Sequence, residues 1–153
     1  IPVSGRYSPR QRAVYDAVLR VLKQARAMLV PGTTLIEYHK EVGKIMSSEL
    51  IGLGLISRDD VAKESKDNPA YKKYFMHGTS HHLGLDVHDL MFRYDTFKAG
   101  NIFTVEPGIY IPEENLGIRI ENNVVITDGE PMDLFKNIPM EAEEIEELMN
   151  AAR

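Results

Sequence analysis

Residues 101–127, NIFTVEPGIYIPEENLGIRIENNVVIT, carry the pattern that decides the fold. Short runs rich in Ile, Val, Phe and Tyr are separated by Pro and Gly, which is typical of β-strands joined by turns. From Gly117 onward the sequence alternates apolar and polar residues, as a strand with one buried face does. Because these strands follow one another without intervening helices, they predict an antiparallel sheet.

Helical patterns lie on both sides of the strands. Ser8 and Thr34 each stand three residues before a Gln or Glu and open an amphipathic stretch, which is the capping-box pattern of a helix start. An acidic stretch after Pro139 predicts one further helix. Two helices, several strands and a last helix predict an α+β fold, with helices packed on an antiparallel sheet, in a single domain covering residues 1–153.

Composition excludes several classes of function. The net charge is −5, so nothing in the electrostatics favours a nucleic-acid partner. No apolar run approaches the ~20 residues that span a bilayer, which argues against a membrane protein. The chain has no cysteine, so any metal must be bound by nitrogen and oxygen ligands. We expect a cytoplasmic protein, although a chain without cysteine also fits an exported one.

Two strands project charged side chains from one face. Thr104 and Glu106 alternate with Phe and Val, and Arg119 and Glu121 alternate with Ile, so these four share the face opposite the apolar one. A solvated sheet face is the ordinary interpretation of such a pattern. Histidines elsewhere in the chain favour a second interpretation, because imidazole and carboxylates on rigid strands are a ligand set for a divalent metal.

Residues 77–89, HGTSHHLGLDVHD, contain four of the five histidines. The fifth, His39, lies in a helical stretch without a partner pattern and is expected at the surface. His82 directly follows another histidine, so in an extended backbone it points away from it, towards packing or solvent. The other three histidines are candidates for metal binding or proton transfer: His77, His81 and His88.

Three motifs together, HGTSHHLGLDVHD, FTVEPGIYI and GIRIENNVVIT, resemble the C-terminal part of the catalytic domain of aminopeptidase P enzymes. These Xaa-Pro aminopeptidases belong with prolidase and methionine aminopeptidase to the pita-bread metallopeptidase family. The resemblance extends over essentially the whole chain. It implies helices packed on a curved antiparallel sheet, the C-terminal part of a pita-bread fold.

The resemblance also implies a metal site. His81 matches the family's histidine ligand, Glu106 a carboxylate ligand, and Glu121 the carboxylate that bridges two metal ions. It implies two divalent ions in the intact enzyme, manganese first, although zinc or cobalt would accept the same ligands.

Roles in catalysis follow from the same resemblance. His88 matches the histidine that assists the reaction at the scissile bond, and His77 one that lines the substrate site. Arg119 matches an arginine that supports the carboxylates beside the metals. Glu106 is expected to take a proton from the attacking water as well as to bind metal.

The implied function is removal of the N-terminal residue from peptides with proline at the second position, by an enzyme that forms homo-oligomers. A prolidase, a methionine aminopeptidase and a non-catalytic pita-bread binding module are the alternatives. The family needs two further aspartate ligands, and these precede the segment that resembles IPVSGRY at residues 1–7. We therefore expect a fragment that lacks the upstream half of its domain and is inactive alone.

Overall fold

The chain folds into helices packed on short antiparallel strands in the computed structural model, which describes residues 1–92 and 94–151. The helices are α1 (Pro9–Ala27), α2 (Leu35–Gly52), α3 (Arg58–Ala62) and α4 (Ala142–Asn150), with 3-10 turns at Ala70–Lys73 and Pro112–Glu114. The strands are β1 (Ile102–Val105), β2 (Gly108–Ile111), β3 (Leu116–Arg119), β4 (Asn122–Val125) and β5 (Met132–Asp133). None of the helices in the described part of the chain is long and apolar enough to cross a membrane.

Both long helices begin as the sequence predicts. The Ser8 hydroxyl accepts a hydrogen bond from the Gln11 amide at 3.2 Å, and the Gln11 side chain accepts one from the Ser8 amide at 2.9 Å. Thr34 and Glu37 make the same reciprocal pair at the start of α2. These bonds satisfy main-chain donors that a helix start otherwise leaves without a partner.

The strands form two antiparallel groups. β1, β4 and β5 make one sheet in the order β1-β4-β5, while β2 and β3 make a hairpin. Ile102 faces Val125 in the first group, and Gly108 faces Arg119 in the second. The predicted antiparallel sheet and the α+β class are therefore confirmed.

A break in the strands separates the two groups at the position of the candidate carboxylates. β1 and β2 are separated by Glu106 and Pro107, and β3 and β4 by Ile120 and Glu121. The Ile120 amide donates to the Pro107 carbonyl at 3.3 Å, so the two breaks face each other. Glu106 and Glu121 consequently lie in the breaks between the two groups rather than within a paired strand.

The core lies between the sheet and the two long helices. Helix α1 packs against α2 and against β1, β2 and β3. Apolar residues of α1, α2, β1, β2 and β4 form one core cluster. The fully buried residues of the core include Val14, Val18, Leu22, Leu29, Tyr38, Met46, Leu50, Phe97, Phe103, Ile109, Ile111 and Ile126. This core holds rigid the strands that carry the candidate site.

Candidate metal centre

The histidine-rich segment runs antiparallel beside β1. The Glu106 amide donates to the Thr79 carbonyl at 2.7 Å, and the Thr104 amide donates to the His81 carbonyl at 3.1 Å. The His81 amide in turn donates to the Thr104 hydroxyl at 3.1 Å. This pairing places the His81 side chain next to that of Glu106.

The contact between the His81 and Glu106 side chains is favourable only when a positive charge lies between them. The Nδ1 atom of His81 lies 3.1 Å from the His82 carbonyl oxygen, which can only accept, so Nδ1 carries the proton. In the neutral ring Nε2 then presents a lone pair, and it lies 3.2 Å from Oε1 of Glu106. Two acceptors in contact repel unless a proton or a metal cation lies between them.

Arg119 joins the two carboxylates. One guanidinium nitrogen contacts Glu106, and another lies 3.1 Å from Glu121. Both carboxylates therefore lie on the same side of the sheet, in agreement with the strand alternation. Within residues 1–92 and 94–151, no three His, Asp or Glu side chains gather closely enough to hold a metal ion. The structure thus brings His81 and Glu106 together and connects Glu121 to them only through Arg119.

A concavity of about 410 Å³ opens beside this pair. The His88 ring is exposed at its edge, with its centroid 4.3 Å from that of His81. Glu121 does not line the concavity, whereas the other predicted site residues do. The lining residues are His77, Gly78, Ser80, His81, His88, Glu106, Tyr110 and Arg119.

Tyr110 is a site residue that the sequence interpretation missed. Its hydroxyl lies 2.8 Å from Nε2 of His77, whose Nδ1 lies 2.9 Å from the Gly78 carbonyl. That carbonyl can only accept, so in the neutral ring Nδ1 donates to it and Nε2 accepts from the tyrosine. Burial raises the pKa of Tyr110 above its ordinary value, which keeps the hydroxyl proton in place.

Two glycines make room for this tyrosine. A Cβ atom at Gly108 would come within 2.7 Å of the Tyr110 hydroxyl, and one at Gly117 within 3.1 Å of its ring. Tyr110 also has the same strand parity as Glu106, which is the signal that could have identified it. The prediction failed because GIYI resembles an ordinary apolar strand.

The prediction that His39 is a surface residue is wrong. His39 is only partly exposed, and its Nε2 lies 3.2 Å from the Ser80 amide nitrogen and 3.1 Å from the Ser80 carbonyl oxygen. Burial lowers the pKa of His39, and the Ser80 carbonyl opposes this only in part. His82, which was given no site role, packs against Phe103 with ring centroids 5.5 Å apart.

The family assignment follows from a match over most of the chain. Residues 1–128 match the model of metallopeptidase family M24. This chain belongs to metallopeptidase family M24. Membership implies divalent metal ions as the cofactor of the family site.

Curated M24 relatives are Xaa-Pro aminopeptidases. That of Escherichia coli strain K12 is 42% identical over 164 residues, which cover 99% of this chain and 37% of the relative. Human Xaa-Pro aminopeptidase 3 is 36% identical over 165 residues, which cover 99% of this chain and 31% of the relative. The chain thus spans about a third of the length of these M24 relatives. The predicted resemblance to the aminopeptidase P group is confirmed.

Solved structures of M24 enzymes show the same architecture. A zinc-substituted Escherichia coli aminopeptidase P in complex with product is 40% identical, with a TM-score of 0.87. The match covers 100% of this chain and 37% of that one. It confirms that these helices and antiparallel strands form part of a pita-bread fold.

The donor geometry fits part of an M24 metal site. Nitrogen and oxygen ligands at about 2.1 Å from one ion lie roughly 3.0–3.4 Å from each other in octahedral or tetrahedral coordination. The 3.2 Å between His81 Nε2 and Glu106 Oε1 falls in that range. Metal-binding histidines usually donate their other N–H to a carbonyl or carboxylate, as His81 does. Glu121 does not fit the geometry of a ligand to the same ion, since its carboxylate makes an ion pair with Arg119.

The lowered pKa of His39 predicts a dependence of stability on pH. The unfolded chain binds a proton at His39 as the pH falls below about 6.5, the ordinary value, while the folded chain resists it. Acidification therefore lowers the free energy of unfolding, by at most about 1.4 kcal/mol per pH unit for one proton. At a pH above the ordinary pKa of histidine, the contribution of neutral, partly buried His39 to the free energy of unfolding is fully present.

Urea unfolding of the metal-free chain at pH 7.5 and 5.5 checks this, with His39→Gln as the matched variant. We expect the wild type to lose more stability than His39→Gln over this interval, because glutamine does not titrate. The two proteins differ at residue 39 alone, so the difference in their losses isolates His39. Equal losses in the two proteins would contradict the prediction.

Proposed function

We propose that this chain supplies part of the dinuclear metal site of an Xaa-Pro aminopeptidase, which removes the N-terminal residue from peptides with proline at the second position. The contact between His81 Nε2 and Glu106 Oε1, at 3.2 Å beside a concavity, carries the proposal. Two aspartates that the family resemblance implies would complete the site from outside residues 1–153.

His81, Glu106 and Glu121 are the proposed ligands, with Glu121 shared between two ions. Bound divalent ions would supply a water of lowered pKa and stabilise developing negative charge. The Glu121 side chain is 38% exposed, so it has room to turn from Arg119 towards a metal position. Arg119 would keep its contact with Glu106 and hold that carboxylate in place.

Glu106 is the proposed proton carrier. It would take a proton from the attacking water and deliver it to the proline nitrogen when the peptide bond breaks. The Thr104 hydroxyl donates to Glu106 Oε1 at 3.2 Å, so the carboxylate is oriented before a substrate binds. Its side chain is 13% exposed, which limits competition from solvent.

His88 is proposed to donate a hydrogen bond to the carbonyl oxygen of the scissile peptide as negative charge develops there. Its ring is exposed and lies next to that of His81, where a substrate carbonyl can reach both. A donor of this kind contributes about 3 kcal/mol to lowering a barrier. His77, held by Tyr110 at 2.8 Å, would line the substrate site.

Three finer features accompany the proposal. Manganese is the proposed metal because it suits a site rich in oxygen ligands with one imidazole, while zinc or cobalt would accept the same donors. A cytoplasmic location and homo-oligomer formation stay predictions from the sequence and the family resemblance.

A chimera tests the function. The aligned 37% of Escherichia coli Xaa-Pro aminopeptidase would be replaced by this chain. With manganese, we expect the folded chimera to release the first residue of an Xaa-Pro-Xaa tripeptide, and to leave a tripeptide without proline intact. Since Xaa-Pro dipeptides are the substrates of a prolidase, they form the comparison arm.

Adjacent histidines give the matched control in the chimera. His81→Phe should abolish cleavage because it removes a ligand, whereas His82→Phe should retain it because that ring only packs. A folded, inactive chimera would contradict the proposal. Cleavage of dipeptides alone would identify a prolidase instead.

A further inference from the structure

We propose that His39, on α2, is a positioning residue that sets the placement of His77 and His81 by holding the main chain between them. The role of those two histidines rests on the proposed function, whereas the mechanical connection rests on contacts alone. No local pattern in the sequence connects residue 39 with this segment, because the two are 41 positions apart.

The first support is the alternation of the segment. The carbonyls of Thr79 and His81 accept bonds from Glu106, which follows β1, and from Thr104 in β1, so the main chain of Ser80 faces the other way, towards α2. The Ser80 amide and carbonyl lie 3.2 and 3.1 Å from His39 Nε2, and either tautomer makes one of these bonds. Ser80 is 5% exposed, and its main chain makes no other hydrogen bond within the described residues.

The second support is the closeness of packing. A Cβ atom at Gly78 would lie 3.0 Å from Cε1 of the His39 ring, so the ring lies directly against the backbone of the segment. The neighbouring Tyr38 hydroxyl lies 2.9 Å from the Ser80 hydroxyl. Two consecutive residues of α2 thus hold the segment opposite β1.

Tyr38 and His39 have different roles in α2, because one belongs to the core and the other contacts the histidine-rich segment. Tyr38 is 1% exposed and belongs to the hydrophobic core, so its loss would disturb the whole fold. The polar contacts of His39 go to Ser80 alone among the described residues. Loss of its imidazole should therefore release the segment while leaving the core intact.

Three variants of the chain test the role. His39→Phe keeps a ring but removes the hydrogen bond, and His39→Gln keeps both a donor and an acceptor. Ser47→Ala is the control, because it removes a buried bond to the Gly43 carbonyl on the same helix, away from the candidate site. Each is examined by NMR for amide exchange at Ser80 and for the ring signals of His77 and His81, and by titration with Co²⁺.

In His39→Phe we expect exchange at Ser80 to be at least ~10-fold faster, with shifted signals from both rings. We also expect Co²⁺ affinity about 10-fold weaker or more, as is usual when a support of a ligand is lost. In His39→Gln we expect the Ser80 exchange rate, both ring signals and the Co²⁺ affinity to stay near their wild-type values. Ser47→Ala should leave them unchanged even where it lowers the melting temperature.

Slow Ser80 exchange and unshifted rings in His39→Phe would overturn the proposal, as would equal changes in His39→Phe and His39→Gln. A wild-type chain that binds no Co²⁺ would count against the proposed function. The exchange rates and ring signals would still decide the role of His39, so the two failures are distinguishable.

Discussion

The chain alone is expected to cleave Xaa-Pro peptides at least ~1,000-fold less efficiently than Escherichia coli Xaa-Pro aminopeptidase when both are supplied with manganese. His81 and Glu106 are in direct contact, but Glu121 bonds Arg119, and no third ligand joins them within the described residues. A two-metal site contributes several kcal/mol to catalysis, and each 1.36 kcal/mol corresponds to a factor of about ten in rate. Incomplete coordination therefore predicts a very large loss.

This prediction is checked by measuring kcat/KM on one Xaa-Pro-Xaa tripeptide for both proteins, in the same buffer and with the same manganese concentration. Glu106→Gln in the chain controls for a contaminating host peptidase, since activity that survives this change does not come from the chain. Turnover within tenfold of the Escherichia coli enzyme, lost in Glu106→Gln, would show that the chain needs no further ligands.

Features set by neighbouring residues were predicted well. Ser8 and Thr34 cap their helices because a capping box needs only residues three apart. The strands at 102–105 and 122–125 pair antiparallel because their apolar faces must share one core. The shared side of Glu106 and Glu121 likewise follows from strand alternation.

Features set by distant contacts were not predicted. His39 was expected at the surface because helical periodicity does not show that residues 78–80 pack over it. Arg119 was expected to support the carboxylates, but that it contacts Glu106 and Glu121 with separate nitrogens depends on side-chain geometry. Tyr110 was overlooked because its polar contact is made to His77, from another part of the chain.

Removal of either member of the central pair should weaken metal binding strongly. Glu106→Gln removes a proposed anionic ligand, and His81→Ala removes the imidazole whose Nε2 lies 3.2 Å from Glu106. We expect each to lower the affinity for a divalent ion by at least ~100-fold, more than the loss of a supporting residue. Neither change should unfold the chain, since both side chains lie outside the hydrophobic core.

His88→Gln is the matched control for this prediction. The His88 ring lies beside that of His81, with centroids 4.3 Å apart, and is a proposed hydrogen-bond donor rather than a ligand. Its replacement should change Co²⁺ affinity by less than ~3-fold, because no ligand is lost. A larger change would mean that any disturbance of the concavity weakens binding.

Titration of the chain with Co²⁺, followed by visible absorption, tests directly whether His81 and Glu106 bind the metal, because the spectrum reports ligands as well as affinity. We expect saturable binding by the wild type and by His88→Gln, with binding by Glu106→Gln and His81→Ala at least ~100-fold weaker. Equal affinity and identical spectra in all four proteins would contradict it, since the metal would then be bound away from His81 and Glu106.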